Sequence, residues 1–313
     1  MEELIIREGN QIAKANTPEE LYQRFVAFLD LDSKPKTIET YTRALRQMFA
    51  YFADKGVINP QREDILSYRE YLKETGHKPT TIQNYITVIR IFFRWTASES
   101  LYPNIADHIK GAKLDRDHKK DYLTSGQVKN VLGDIDRETP QGLRDYAIIA
   151  LMVTGGLRTI EVVRANIEDM RTLGDSTVLY VQGKGRDEKT EYIKLSDPVE
   201  KAIRAYLKTR SNVSPEDPLF TSISNNSNGE RMTTRSISRI AKNNMKEAGY
   251  DSSRLTAHSL RHTAVTLSLL AGKDITEVQQ FARHANISTT QIYNHALEKA
   301  KNSCSEAITN AIF

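Results

Sequence analysis

The stretch Ala147-Ile148-Ile149-Ala150-Leu151-Met152-Val153-Thr154-Gly155-Gly156-Leu157-Arg158-Thr159-Ile160-Glu161 begins apolar and ends charged. From Gly142 to Thr154 the residues read as a strongly apolar helix. The pair Gly155-Gly156 breaks it. Arg158 stands just past the break, and Glu161 follows one turn later. An arginine in such surroundings is either paired inside the fold or aimed into a cleft. An Arg–Glu pair at this spacing is also an ordinary helix feature, so the stretch alone leaves both readings open.

Around that helix the second part of the chain is mixed. Thr124-Ser125 caps a helix expected from about Gly126 to Asp134. Val178-Leu179-Tyr180-Val181 and Thr190-Glu191-Tyr192-Ile193-Lys194-Leu195 read as two strands. Between them, Gln182-Gly183-Lys184-Gly185-Arg186-Asp187 is rich in glycine and charge, which makes the unit a hairpin. Asp197 to Thr209 reads as a helix, residues 211–230 as a loop, and the remainder as three or four further helices.

The first hundred residues differ. Thr17-Pro18-Glu19-Glu20 is an N-cap followed by proline and acids, and it opens a helix to about residue 30. Helices are expected from about Pro35 to Lys55, Arg62 to Glu74 and Pro79 to Ser98, with Gly56 and Gly76 as stops. Tyr41, Leu45, Met48, Phe49 and Phe52 share one face of the second helix, and Ile82, Tyr85, Ile86, Ile89 and Phe93 one face of the fourth. This is the pattern of a small helical bundle. The opposite face of the fourth helix presents Thr80, Gln83, Asn84, Thr87, Arg90 and Arg94. Such a stripe is either a solvated face or a DNA-facing one, since hydroxyls, amides and guanidiniums contact phosphates and base edges.

The fold class expected is therefore α+β, mainly α: an N-terminal helical bundle, then a mostly helical domain with a small antiparallel sheet. The divisions are an acidic leader 1–16, a helical domain 17–107, a basic linker 108–122 and a second domain 123–313, its tail helix at about 297–313. The linker carries Lys110, Lys113, Arg116, Lys119 and Lys120 with little apolar content. It can simply be solvated, or it can lie along a phosphate backbone.

Composition narrows the function classes. A chain of 313 residues suggests two domains of ordinary size. With 39% hydrophobic and 27% charged residues there is material for a core and for a soluble surface. No run approaches the ~20 apolar residues of a membrane span. Met1 to Asn16 lacks an apolar secretory core, so a cytoplasmic protein is expected. The single cysteine, Cys304, excludes an intramolecular disulfide and a cysteine-rich zinc fold. Net charge is only +4, but residues 1–32 hold three basic and seven acidic side chains, so an acidic leader masks a mildly basic body. That suits a nucleic-acid binder as well as many ordinary proteins.

His258 and His262 stand at i and i+4, a zinc-chelating spacing. The metalloprotease glutamate is absent and Arg261 lies between them, so no metal is expected. There is no phosphate-binding glycine loop with Lys-Ser/Thr and no dinucleotide fingerprint, and no cofactor is expected.

Taken in order, the remaining polar boxes resemble the tyrosine recombinases, the phage-integrase and Xer-type site-specific DNA recombinases. Gly156-Leu157-Arg158-Thr159-Ile160-Glu161 is similar to their first box, Gly183-Lys184-Gly185 to their hairpin lysine, and His258-Ser259-Leu260-Arg261-His262 to their His-x-x-Arg box. His284-Ala285-Asn286-Ile287-Ser288-Thr289-Thr290-Gln291-Ile292-Tyr293 is similar to their His–Tyr box. The helices from Thr37 to Lys55 and Pro79 to Ala97 resemble the family's SAM-like core-binding domain, and the resemblance spans nearly the whole chain from about residue 17. Two features depart from the pattern. Arg283 stands where the family usually has glycine, which would alter the backbone or add a phosphate contact. The leader is too short for the separate arm-binding domain of larger integrases.

The resemblance implies a reaction and a set of roles. Tyr293 would attack a DNA phosphodiester, leaving a 3′-phosphotyrosyl link and a free 5′-hydroxyl, with the bond energy kept for rejoining. Arg158 and Arg261 would hold the phosphate bidentately. Lys184 would protonate the leaving oxygen, with Lys189 a weaker candidate. His258 would handle the tyrosine proton, His284 would hydrogen-bond the phosphate, and Glu161 would position Arg158. Candidate DNA contacts are Arg43, Thr80, Gln83, Asn84, Thr87, Arg90, Arg94, Lys110, Lys113 and Arg283. The partners implied are double-stranded DNA and further copies of the chain, four on two duplexes, with an accessory protein or second recombinase allowed for.

The apolar tail residues Leu297, Ala300, Cys304, Ala307, Ile308 and Ala311 either pack on their own domain or dock on a neighbour. Integration or excision of a mobile element is favoured over dimer resolution. A type IB-like topoisomerase and a DNA-binding protein without catalysis are the alternatives.

Overall fold

The computed structural model describes residues 7–8, 11–12, 17–113, 121–183, 186–224, 228–300 and 304–312. The chain divides into two units, Met1–Arg116 and Asp117–Phe313. The division falls inside the stretch expected as a linker.

In the first unit β1 (Arg7–Glu8) pairs antiparallel with β2 (Gln11–Ile12), within the acidic leader. Four helices follow: α1 (Pro18–Asp30), α2 (Pro35–Asp54), α3 (Arg62–Glu74) and α4 (Pro79–Ser98). Proline opens α1, α2 and α4, where its missing N–H costs nothing. Thr17 and Glu20 form a reciprocal capping box at the start of α1. The apolar faces converge on an aromatic centre. Phe25 meets Phe92 edge-on at 5.3 Å and Trp95 at 5.3 Å, and Phe49 meets Phe92 edge-on at 5.6 Å.

The chain beyond α4 stays on this unit. Ile109 is buried, Arg69 donates to the Lys110 carbonyl at 2.9 Å, and a Cβ on Gly111 would run into the Gln83 side chain. Residues 109–112 of the expected linker thus pack against the helices, and 114–120, with Arg116, Lys119 and Lys120, lie outside the described residues. The polar stripe of α4 is split by this packing. Thr80, Asn84 and Arg94 are exposed, while Gln83, Thr87 and Arg90 are half-buried. Thr87 donates its hydroxyl to the Gln83 carbonyl. Arg43, Lys110 and Lys113 are exposed, Arg43 in an ion pair with Glu39 at 2.9 Å.

The second unit holds α5 (Ser125–Gly133), α6 (Pro140–Gly155), α7 (Thr159–Arg164), a 3-10 turn at Ile167–Asp169 and three strands, β3 (Met170–Leu173), β4 (Ser176–Val181) and β5 (Glu191–Lys194). Six helices follow: α8 (Asp197–Leu207), α9 (Thr234–Glu247), α10 (Ala257–Leu270), α11 (Ile275–Ala282), α12 (Ser288–Ala300) and α13 (Cys304–Ile312). The sheet is antiparallel in the order β3-β4-β5, with Leu179 opposite Met170 and Ile193. It has three strands, where the sequence pattern predicts two. α6 is buried along its length and packs against α8, α9 and α10. It starts at Pro140, two residues before the apolar run, because the Thr139 hydroxyl caps it by accepting from the Gly142 N–H. Among the described residues no helix is long and apolar enough to cross a membrane.

Candidate active site

The site is built on the glycine pair. α6 ends at Gly155, and Gly156 takes a left-handed backbone at φ 58°. A Cβ on Gly155 would meet Ile193 at 2.5 Å, and one on Gly156 would meet the Phe281 ring at 3.2 Å. Two bare glycines therefore let the sheet and the end of α11 close on this turn. Their carbonyls become acceptors for arginines arriving from elsewhere.

Arg261 comes from α10 and is 1% exposed; its fork donates to the carbonyls of Gly156 and Ala282. Arg158 begins α7. Its backbone N–H donates to Glu161 Oε2 at 2.8 Å, its Nη1 to Glu161 Oε1 at 2.8 Å, and its Nη2 to the Arg283 carbonyl at 3.2 Å. Glu161 is fully buried. Burial pushes its carboxyl up, but Arg283 and Arg158 more than offset this and hold it below the ordinary carboxylate range. Burial, reinforced by Arg158, pulls the Arg261 guanidinium down to about 9.

Arg283 differs from the expectation of a phosphate contact. Its side chain is only 6% exposed and turns inward. It donates to the carbonyls of Phe281 at 2.8 Å and Gly156 at 3.1 Å, and to Glu161 Oε2 at 3.0 Å. The reason is local: as the left-handed cap of α11, at φ 52°, it is aimed back over the glycine turn. Arg158 and Arg283 fall on one carboxylate, with the buried Arg261 on the same turn, so this nucleus carries a clear excess of positive charge.

Aromatic and imidazole rings line up beside it. Tyr293, in α12, is 6% exposed and packs with Val265, Val278 and Ala282. Its ring lies 5.0 Å from that of His262 and 6.4 Å from that of His284, and His262 lies 4.5 Å from His258. Burial pushes the Tyr293 phenol up to about 12, against the pull of Arg261 and Arg158. His284 Nδ1 pairs with the buried Thr290 hydroxyl at 2.8 Å, which leaves Nε2 to meet a ligand. Burial, then Arg261, Arg158, Arg283 and His258, bring His284 down to about 4.

The unfolded imidazole, with an ordinary value of 6.5, takes its proton before the folded one does. The contribution of His284 is thus complete above pH 6.5 and is lost as pH falls toward 4. Replacing His284 with glutamine is expected to flatten the fall in stability over that window, measured as thermal unfolding against pH.

Five of the sequence-predicted residues, Arg158, Glu161, Arg261, His284 and Tyr293, gather around this one turn. His258 sits exposed at the edge, reached through His262. Lys184 lies outside the described residues. Lys189 is held by the buried Asp169 at 2.5 Å, a structural ion pair. His262 was missed as part of the site; its i+4 spacing from His258 was read only for metal. Among the described residues no group of three His, Cys, Asp or Glu gathers that could hold a metal ion.

A groove of about 990 Å³, which no sequence expectation covers, is lined by Arg158, Arg235, Arg239, Lys242 and His258, with hydroxyls from Thr159, Thr233 and Ser236. Arg235, Arg239 and Lys242 follow i, i+4, i+7 on α9, a signal present in the sequence. Arg158 also lines a second cavity of about 730 Å³, with Arg186 and Thr190 of the hairpin and His284. Arg158 thus lines both depressions, each of which carries several basic side chains.

Comparison with known proteins fits this geometry. Residues 121–300 match the phage integrase family, and residues 21–102 match the phage integrase N-terminal SAM-like domain. The chain is 30% identical over 291 residues to tyrosine recombinase XerD of Listeria monocytogenes serotype 4b, covering 88% of this chain and 94% of that one. It is 26% identical over 313 residues to a tyrosine recombinase of Synechococcus elongatus, covering 96% and 97%. In fold it is similar to the XerH site-specific recombinase bound to palindromic difH substrate, with a TM-score of 0.72, 20% identity, and 92% and 85% of the two chains covered.

Proposed function

Because this chain belongs to the phage integrase family and is a tyrosine recombinase, a site-specific DNA recombinase, we propose that Tyr293 is its nucleophile and that Arg158 and Arg261 hold the reacting phosphate. The observation that carries this reading is the cationic nucleus beside a sequestered tyrosine. Arg158, Arg261 and Arg283 outnumber the one carboxylate at the glycine turn, and Tyr293 packs against the same segments. Buried cations in excess are costly unless an anion joins them. A phosphodiester supplies that anion, and the arginines match its geometry.

The reaction is balanced by residues of the chain. Tyr293 Oη forms a bond to phosphorus, and the bond from phosphorus to the 5′-oxygen breaks. The phenolic proton leaves toward His258, with His262 touching both rings. The departing oxygen takes a proton from Lys184. Charge that builds on the non-bridging oxygens is met by the two guanidiniums and by His284 Nε2. Burial is the main cause that depresses His284, and a bound phosphate offsets only the smaller contribution of the neighbouring cations. Rejoining reverses these steps and needs no ATP.

DNA binding is assigned to the groove carrying Arg235, Arg239 and Lys242, together with Arg43, Thr80, Asn84, Arg90, Arg94, Lys110 and Lys113 of the first unit. Of the three half-covered residues, Gln83 and Thr87 contribute less than the cationic Arg90. Binding is expected to weaken with salt at about −0.9 in log–log slope for each phosphate neutralised.

Recombination joins two duplexes and therefore four protomers. Ile308 and Ile312 of α13 are 60% and 68% exposed, which supports the tail docking on a neighbour. We place the protein with the DNA of the cytoplasm, moving an element into or out of it. Dimer resolution is the second reading, favoured by the 30% identity to XerD.

The test is covalent trapping in EDTA on nicked duplexes made from a library of source-genome fragments. An adduct that resists SDS is expected, and the trapped sequence separates an element end from a chromosomal resolution site. DNA binding without an adduct would contradict the catalytic reading. Relaxation of plasmids without paired sites would point to a topoisomerase.

A further inference from the structure

Arg283 is the one member of the cationic nucleus for which the reaction has no task. Its backbone is left-handed at φ 52°, a conformation costly for a residue with a Cβ. Its Nε is buried with no hydrogen-bond partner among the described residues, a further cost. Something must offset both. The contacts of the side chain show what it does.

The guanidinium lies on the two acceptors that the phosphate-binding arginines also use. On Glu161 it takes Oε2 at 3.0 Å, while Arg158 Nη1 takes Oε1 at 2.8 Å. On Gly156 it shares the carbonyl with Arg261. Its own carbonyl accepts from Arg158 Nη2 at 3.2 Å. Arg283 therefore shares one acceptor with each of the two arginines and supplies a further one to Arg158.

Electrostatics gives this arrangement a consequence. With Glu161 paired to Arg158 alone, the carboxylate would cancel much of the field that Arg158 projects onto a phosphate. A second guanidinium on the same carboxylate removes that cancellation. We infer that Arg283 is a positioning residue that neutralises Glu161, so that Arg158 is held by the carboxylate without being quenched by it. Arg158 and Arg261 then face the phosphate as two uncompensated cations. A glycine at this position would supply the left-handed turn but not the charge. The inference rests on the proposed role of Arg158 and Arg261 in holding phosphate.

The test is a charge-balance rescue with two readouts, single-turnover adduct formation and the affinity of the free protein for inorganic phosphate. Replacing Arg283 with methionine is expected to slow cleavage about 10–100-fold, less than the about 10²–10³ lost with a group that touches phosphate. Phosphate affinity is expected to fall as well. Adding Glu161→Gln removes the carboxylate charge and is expected to restore both readouts toward wild type. A merely structural brace gives the opposite result, since the double variant would then be slower than the single one.

Wild-type rate and phosphate affinity in the methionine variant would overturn the inference. Thermal unfolding of each variant shows whether it folds. Should the methionine variant not fold, Arg283→Lys against Arg283→Gln decides the point: the lysine variant is expected to stay faster, and equal loss in both overturns the inference. If the wild type forms no adduct, the proposed function fails, and the phosphate readout still decides the role of Arg283.

Discussion

Replacing Tyr293 with phenylalanine is expected to abolish the covalent adduct, a loss of about 10⁶-fold or more, as for removal of a nucleophile elsewhere. The fold and DNA affinity are expected to survive. The phenylalanine ring keeps the packing against Val265, Val278 and Ala282 and the stacking near His262 and His284. What is lost is the hydroxyl group, worth about 0.5–1.5 kcal/mol of hydrogen bonding. The measurement is single-turnover cleavage of a nicked duplex beside a filter-binding titration. An unchanged adduct would mean that another side chain attacks.

The second large effect concerns Arg261. Arg261→Lys keeps the charge but not the fork that reaches both Gly156 and Ala282. Cleavage is expected to fall by about 10²–10³, the usual loss for one donor to a developing oxyanion. The pH profile should change as well. Burial and the neighbouring Arg158 already bring the guanidinium down to about 9. An amine, whose ordinary value is about 10.4, would be drawn toward neutrality in the same place. Residual activity of the lysine variant should therefore rise as pH falls, because the protonated amine is the form that meets phosphate. A flat profile would argue that residue 261 acts by shape rather than by charge.

The helical unit was legible because its helices are long and strictly periodic. Leu45, Met48 and Phe52 of α2, and Ile82, Ile86, Ile89 and Phe93 of α4, are buried as their spacing requires. Short elements were not legible. β3 has four residues with three of them exposed, so Met170–Leu173 carries no alternation. α7 has six residues, starts on the Arg158–Glu161 capping contact and fully buries one apolar residue, Val162.

The residues of the site were legible as types, and the resemblance gave their roles. Their partners were not. Nothing in the local sequence shows that Arg283 would fold back on Glu161 across 122 positions. That depends on the left-handed cap of α11 and on the bare carbonyls of Gly155 and Gly156. His262 was hidden for a related reason: its neighbour Tyr293 reaches it only through the packing of α10 on α12.

The most direct measurement is peptide mapping of the trapped adduct by mass spectrometry. The wild-type protein, trapped on a nicked duplex in EDTA and digested with protease and nuclease, should yield one modified peptide, with a nucleotide joined through phosphate to Tyr293. A nucleotide on any other residue, or an SDS-resistant complex with Tyr293 unmodified, would contradict the assignment of the nucleophile and of the cationic turn built around it.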